Sequence, residues 1–218
     1  MITSSLLESS SHNNNTHCPA YLRTDSKYSG GRIVNVFETI GSRTSYRGRY
    51  KDTPVPREDL IKIMKAGLAA PSGCNLQTTS LLAVDDTDLL SKLREVLKPL
   101  ADKLAPAPAV ICVLTQKIFP FENVCFNVQD YSAAIQNMLL AIAALGYESC
   151  WYEGDITGID QTGQRDYVLA PVLAELLGVP KDYELVCVLP VGVADQPLTR
   201  REKKPFEERA WFNGFKKI

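Results

Sequence analysis

The most restrictive feature of this sequence is a long apolar segment, DYSAAIQNMLLAIAALG, at residues 130–146. Its composition predicts a helix with Asp130 as the N-cap and Gly146 just past the last turn. Apolar residues lie on nearly every side of this helix, so it has no broad face suited to water. The helix must therefore be enclosed, either by the rest of its own domain or by a partner subunit.

Helices and strands alternate along the chain, which predicts an α/β fold. The segment PAVICVL at residues 108–114 is continuously apolar, as is typical of a strand buried on both faces. Pro56 marks the first turn of a helix within residues 55–70. Further helices are predicted at residues 32–43, ending near Gly41, at 87–97 and at 171–177, and further strands at 81–84, 149–153 and 184–194. We expect a mixed sheet covered by helices.

Charge and hydrophobicity argue against two classes of partner. The 218 residues carry 24 Lys and Arg against 25 Asp and Glu, a formal net charge of −1. This balance gives no global attraction to nucleic acid or to an anionic membrane. The apolar runs are shorter than the roughly 20 residues that a membrane span needs. We expect a soluble protein with neither partner.

Histidine and cysteine usage limits the chemistry. His12 and His17 both lie near the N-terminus, which excludes Ser-His-Asp or Cys-His catalysis and imidazole metal ligands in the folded body. The six cysteines, at positions 18, 74, 112, 125, 150 and 187, contain no C-x-x-C pair and predict neither a disulfide framework nor a metal site. A cytoplasmic location is expected, and no side chain is assigned as a catalytic group.

The N-terminal extension, residues 1–31, is rich in Ser and Asn and closes on Gly30 and Gly31. It lacks the positive start and apolar core of a signal peptide, and a transit peptide remains an alternative. We expect this extension to be disordered or loosely packed, and residues 32–218 to form one domain.

Two basic runs lie at opposite ends of the domain. In SRTSYRGR, residues 42–49, the side chains of Arg43, Ser45 and Arg47 alternate and would share one side of an extended backbone. Two guanidinium groups with a hydroxyl between them suit a phosphate monoester. Arg201 and Lys203 repeat the alternation in TRREKKPFEER, residues 199–209. The alternative for each run is a solvated charged surface.

A stretch of small and amide-bearing residues, PSGCNLQ at residues 71–77, separates a helix from a strand. Such residues are typical of an ordinary loop. The alternative is a backbone held open for a flat polar ligand.

Taken in order, the motifs resemble the nitroreductase superfamily of FMN-dependent oxidoreductases. They are R-x-S-x-R after the first helix, P-V-P, A-P-S-G-x-N-x-Q, the helix Q-N-x-L-L-A-x-x-x-L-G, S-C-W-Y-E-G, and E-L-L-G-V-P followed by R-x-K-K-P-F-E-E. The resemblance covers about residues 32–213. It implies a nitroreductase-like α/β (α+β) fold, with a mainly antiparallel sheet wrapped by helices, in an intertwined homodimer with two FMN sites at the interface.

The same resemblance implies which residues hold FMN. Arg43, Thr44, Ser45 and Arg47 would bind the phosphate and ribityl chain, and Arg201 and Lys203 would meet the same phosphate. Pro71, Ser72, Gly73 and Asn75 would pack on the flavin of the partner subunit, with Gln77 at the base of that loop. The backbone N–H groups of Glu153 and Gly154 would face flavin N5, where a donor favours the reduced anion.

The implied activity is ping-pong transfer of hydride from NADH or NADPH, through flavin N5, to a nitroaromatic, a quinone or a similar small conjugated acceptor. The alternatives are an FMN storage or sensing protein, a dehalogenase and a flavin-cleaving enzyme. One departure from the superfamily is that Gln77 is followed by Thr78 and Thr79, where a proline and an aromatic residue are common. Phe119, Phe121 and Phe126 could line an acceptor pocket, although packing in the core is the favoured interpretation.

Overall fold

The computed structural model describes residues 35–96, 107–153, 157–159 and 165–215. The predictions for residues 1–31, for Leu97 and for Gly154 lie outside these ranges. The helices are α1 (Val36–Ser42), α2 (Arg57–Leu68), α3 (Thr87–Val96), α4 (Asn127–Ala144) and α5 (Leu169–Leu176). The strands are β1 (Thr79–Val84), β2 (Ala109–Thr115), β3 (Tyr152–Glu153), β4 (Thr157–Ile159), β5 (Arg165–Val168) and β6 (Glu184–Val191).

Four of the strands form one sheet in the order β1-β2-β6-β3, and every neighbouring pair is antiparallel. Strands β4 and β5 form a separate antiparallel pair. The register between β2 and β6 shifts between Val113 and Leu114, where β6 carries an extra residue. The predicted α/β fold with a mainly antiparallel sheet is confirmed.

Strand β2 is buried along its whole length, because each face of the sheet is covered. Ile111 and Val113 pack in one cluster with apolar residues of α2 and α4. Val110 and Cys112 point the other way and pack in a second cluster with residues of α3 and α5. This alternation explains why the strand is apolar at every position and confirms the prediction for residues 108–114.

Helix α4 is enclosed by its own domain over one face, where Ile135, Met138 and Ile142 are each at most 1% exposed. The helix starts at Asn127, with Phe126 as the N-cap. The prediction that Asp130 is the N-cap is therefore wrong. Asp130 lies in the first turn and is 3% exposed, because donors from another segment satisfy its carboxylate.

Two element boundaries and the burial of two phenylalanines also differ from the predictions. Pro56 lies just before the first turn of α2, as its N-cap, and β6 ends at Val191 rather than at residue 194. Phe119 and Phe121 are 59% and 61% exposed, so the favoured prediction that they pack in the core is wrong. Their segment crosses the surface between β2 and α4.

No helix among the described residues is both long enough and apolar enough to cross a membrane. Within the same ranges, no three His, Cys, Asp or Glu side chains gather as metal ligands.

Candidate functional site

A cleft of about 870 Å³ opens between the segment after α1 and the segment after β6. It is lined by Gly41, Arg43, Thr44, Ser45, Tyr46, Arg47, Gly48, Gln196, Pro197, Thr199, Arg200, Arg201 and Lys203. The two basic runs, about 150 residues apart in sequence, therefore face the same space. Local sequence patterns could not predict that these runs meet, whereas the resemblance to the nitroreductase superfamily implied it.

Backbone pairing with the edge of the sheet positions the first basic run. Ser45 bridges Ser149 in parallel, and the Tyr46 N–H donates to the Ser149 carbonyl at 2.9 Å. Further along, Tyr50 forms an antiparallel bridge with Ala194. These two bridges, with a bend at Gly48 between them, link the strand region near residue 149 to the chain that leaves β6.

The side chains of this run differ in burial. Tyr46 and Tyr50 are buried and meet edge to face, with ring centroids 5.1 Å apart. Arg43 is half-buried, and Ser45 and Arg47 are exposed on the cleft. Arg43, Ser45 and Arg47 all line the cleft, but Thr44 and Tyr46 line it too, so the predicted common side for the three stays a prediction.

The cleft is strongly cationic. Its described lining contains the five cationic side chains of Arg43, Arg47, Arg200, Arg201 and Lys203, and no carboxylate. The field of these groups extends to neighbouring side chains. Burial raises the pKa of Glu148, and the guanidinium groups of Arg43 and Arg200 oppose that shift. Burial likewise raises the pKa of Cys150. The charge of Arg47, a hydrogen bond from Ser45 and the charge of Arg43 oppose that shift.

The donor set fits a phosphate monoester. Guanidinium forks bind phosphate oxygens in pairs, and the hydroxyls of Thr44 and Ser45 add short polar groups beside them. Thr44 also donates to the Thr199 carbonyl at 3.3 Å, which ties the two walls of the cleft together. An anionic ligand with a phosphate and a polar chain therefore suits this cleft.

The small-residue loop lies elsewhere. Between α2 and β1, residues Gly73–Asn75 form a 3-10 turn, and Cys74, Asn75 and Gln77 all have left-handed φ angles of 51–54°. The Ser72 hydroxyl accepts a hydrogen bond from the Gln77 N–H at 3.0 Å. Pro71, Asn75 and Gln77 are exposed, and none of the loop residues lines the basic cleft of the same chain.

Gly73 is needed for close packing at this loop. A Cβ atom there would lie 2.3 Å from the Phe126 ring, so no larger residue fits without movement. This contact presses the loop against the start of α4.

One predicted site residue, Glu153, is the last residue of β3. Glu153 pairs with Cys187 of β6, which places its backbone at the edge of the sheet. Gly154 lies outside the described residues.

Sequence reasoning missed the role of Asp130. Its carboxylate accepts hydrogen bonds from the Gly73 N–H at 2.7 Å and from the Thr78 hydroxyl at 2.8 Å. Helical periodicity could have shown that Asp130 faces the core. Asp130 lies four and eight residues before Ala134 and Met138, both buried, so helical periodicity places it on the core face.

Comparison with known proteins agrees with this architecture. Residues 40–129 and 100–193 match the model of the Nitroreductase family. A protein of Archaeoglobus fulgidus, provisionally named as an NADH dehydrogenase/NAD(P)H nitroreductase, is 33% identical over 146 residues, which cover 66% of this chain and 76% of the relative. An iodotyrosine deiodinase of Thermotoga neapolitana is 26% identical over 174 residues, covering 68% of this chain and 83% of the relative.

Among solved structures, an FMN-dependent nitroreductase of Clostridium difficile superposes with a TM-score of 0.65 at 28% identity. The match covers 81% of this chain and 98% of that protein. The matched family model spans more than half of the chain, and it confirms the resemblance found in the sequence motifs. This chain belongs to the Nitroreductase family.

Proposed function

We propose that this protein is an FMN-dependent NAD(P)H oxidoreductase. The observation that carries the proposal is the cationic cleft, whose donors suit the phosphate and ribityl chain of FMN. The family supports it, as does the FMN-dependent nitroreductase that shares the fold. FMN, when bound, supplies hydride chemistry between a nicotinamide and an oxidised acceptor.

Within this proposal, the residues of the cleft bind and orient the cofactor. Arg43 and Arg47 hold the phosphate with Arg201 and Lys203, and the hydroxyls of Thr44 and Ser45 form hydrogen bonds with the adjacent polar chain. The N–H groups of Glu153 and Gly154 donate to the edge of the ring. These donors stabilise negative charge that develops there.

We also propose that the active form is a homodimer. The loop at residues 71–77 lies outside the cleft of its own chain, so a second copy would bring it to the ring. Exposed apolar side chains on α1 also support a homodimer. On α1, Val36, Phe37 and Ile40 are 59%, 78% and 51% exposed, which is unfavourable for a helix that faces water.

A nitroaromatic, a quinone or a similar conjugated molecule is the proposed acceptor. The deiodinase relative favours reductive removal of iodide from a tyrosine derivative as the second candidate. We propose a cytoplasmic location because Cys112 is a free thiol buried within the sheet, which suits a reducing compartment.

A spectroscopic experiment tests the activity. The protein is purified with FMN, and NADH or NADPH is added without oxygen. Loss of the visible flavin absorption, followed by its return when a nitroaromatic is added, is the expected result. An FMN store would keep its spectrum after both nucleotides. Return of the colour with iodotyrosine and release of iodide would favour the deiodinase instead.

The shared site is tested with mixed dimers. Arg43→Glu repels the phosphate, and Asn75→Leu removes the amide of the loop. If the cleft and the loop of one site come from different chains, a heterodimer of the two single variants contains one intact site and keeps about half of the wild-type activity. If they come from the same chain, neither site is intact and activity is lost.

The reciprocal pairing is the control. A chain that carries both substitutions is paired with a wild-type chain. Sharing between chains then damages both sites, whereas a site built from one chain leaves the wild-type site active. Half activity in this pairing would refute the homodimer site.

A further inference from the structure

The carboxylate of Asp130 joins two points of the loop that follows α2. One oxygen accepts from the Gly73 N–H at 2.7 Å and the other from the Thr78 hydroxyl at 2.8 Å. Asp130 and Thr78 are only 3% and 2% exposed, so neither contact is shared with bulk water. Between these two points lie the residues that project from the domain.

The loop between the two points has a conformation that needs support. Cys74, Asn75 and Gln77 have φ angles of 52°, 54° and 51°, a region that residues other than glycine rarely occupy. Such conformations persist where the surroundings hold them in place. Asn75, at the tip, is exposed, and its N–H donates to the Ser72 carbonyl at 3.0 Å within the loop, so it is the ends of the loop that attach this turn to the domain.

The anchor continues into the sheet. The Thr78 carbonyl accepts from the Gln116 N–H at 3.0 Å, next to the last pair of β1 and β2, Thr79 and Thr115. Asp130 itself belongs to the first turn of α4, where the positive end of the helix dipole favours a carboxylate. The loop is thus attached at one end to a helix and at the other to the sheet.

We propose that Asp130 is a positioning residue for the active site: it holds residues 73–78 in the shape that presents Asn75 to a flavin. This inference rests on the proposed function, since the loop would reach the flavin of a second subunit. Asp130 does not contact the cofactor. It acts through the backbone of Gly73 and the hydroxyl of Thr78.

Asp130→Leu tests the inference because leucine has a similar size and accepts no hydrogen bond. Asp130→Asn is the conservative variant, since its carbonyl oxygen can still accept from Gly73. Ile142→Val is the matched control, being a core change on the same helix that is far along it from the loop. Hydrogen exchange is measured first on the flavin-free proteins.

We expect backbone exchange over residues 73–78 to be at least tenfold faster in Asp130→Leu than in wild type. Asp130→Asn should be intermediate, and Ile142→Val should match wild type in this segment. If Asp130→Leu fails to fold, Asp130→Asn combined with Thr78→Val gives the same comparison. Unchanged exchange in the loop of a folded variant would overturn the inference.

The second measurement uses the proteins saturated with FMN. Asp130→Leu should shift the visible flavin absorption and lower kcat/KM for the acceptor at least tenfold, with partial rescue in Asp130→Asn. A purely structural role would leave the flavin spectrum and kcat/KM equal to those of Ile142→Val, and would overturn the inference. Failure of wild type to bind FMN would instead refute the proposed function, and the inference with it.

Discussion

Replacing Arg43 by alanine should weaken FMN binding selectively through the phosphate. Arg43 is half-buried in the cleft, so water screens its charge less than that of the exposed cations around it. A charge-assisted hydrogen bond in such a place contributes about 1.5–3 kcal/mol. By the relation between free energy and affinity, the Kd for FMN should rise about ten- to a hundredfold.

The same reasoning predicts that the cations of the cleft contribute unequally to FMN binding. Lys203 is exposed, and an exposed ion pair contributes only about 0.2–1 kcal/mol. Lys203→Ala should therefore raise the Kd for FMN by no more than about fivefold. The difference between the two variants should widen as salt is added, because salt screens the exposed charge of Lys203 more than the half-buried charge of Arg43.

The assay is a titration of the flavin-free protein followed by flavin fluorescence, carried out in parallel with FMN and with riboflavin. Riboflavin lacks the phosphate, so the ratio of the two dissociation constants isolates the contribution of that group. Arg57→Ala is the matched control, because Arg57 pairs with Asp85 on the surface and does not line the cleft. Its dissociation constants should equal those of wild type.

Two results would refute this reasoning. If Arg43→Ala weakens riboflavin as much as FMN, the arginine supports the ring or the fold and not the phosphate. If neither Kd changes, the phosphate lies elsewhere and the basic cleft is a solvated surface, as the alternative interpretation of the sequence holds.

Three further predictions concern stability. Gly73→Ala should lower the free energy of unfolding by about 1–3 kcal/mol in urea titration, because its Cβ would lie 2.3 Å from the Phe126 ring, and Phe126→Leu should restore part of the loss. Ile135→Ala should cost about 2–5 kcal/mol in the same assay, since Ile135 is 0% exposed. The hydrogen bond from Arg57 holds the pKa of Asp85 below its ordinary value of 3.8, so the pair stabilises the fold above that pH, and this stabilisation is lost as the pH falls through the lower, folded-state pKa. Arg57→Ala should lower the melting temperature slightly at pH 7 and make its fall below pH 3.8 shallower, and a fall below pH 3.8 as steep as that of wild type would contradict the assignment.

Local patterns predicted most of the regular elements. The apolar run at residues 108–114 indicates a strand with two covered faces, and β2 has both faces covered because helices pack on each side of the sheet. Pro56 with the acids after it marked the start of α2 to within one residue. These features depend on neighbours in sequence, which is why the sequence is sufficient to find them.

The basic cleft could be predicted only in part. Alternation along residues 43–47 predicted that Arg43, Ser45 and Arg47 share a side, and all three line the cleft, but Thr44 and Tyr46 line it as well. The approach of Arg201 and Lys203 could not be predicted in this way. It depends on the bridges from Ser45 to Ser149 and from Tyr50 to Ala194, which join segments that no local pattern relates.

Asp130 shows why local rules fail where a residue serves another segment. An aspartate before an apolar run is a good N-cap by local statistics, and that rule led to the wrong start for α4. A cap would lie at the end of the helix, partly in water. Asp130 instead occupies a position that helical periodicity assigns to the core, and a carboxylate can be buried there only if donors meet it. The donors come from a loop more than 50 residues earlier in the chain. A polar residue in phase with the apolar face of a buried helix is therefore a sign of a tertiary partner, and for Asp130 that partner is the small-residue loop, through Gly73 and Thr78.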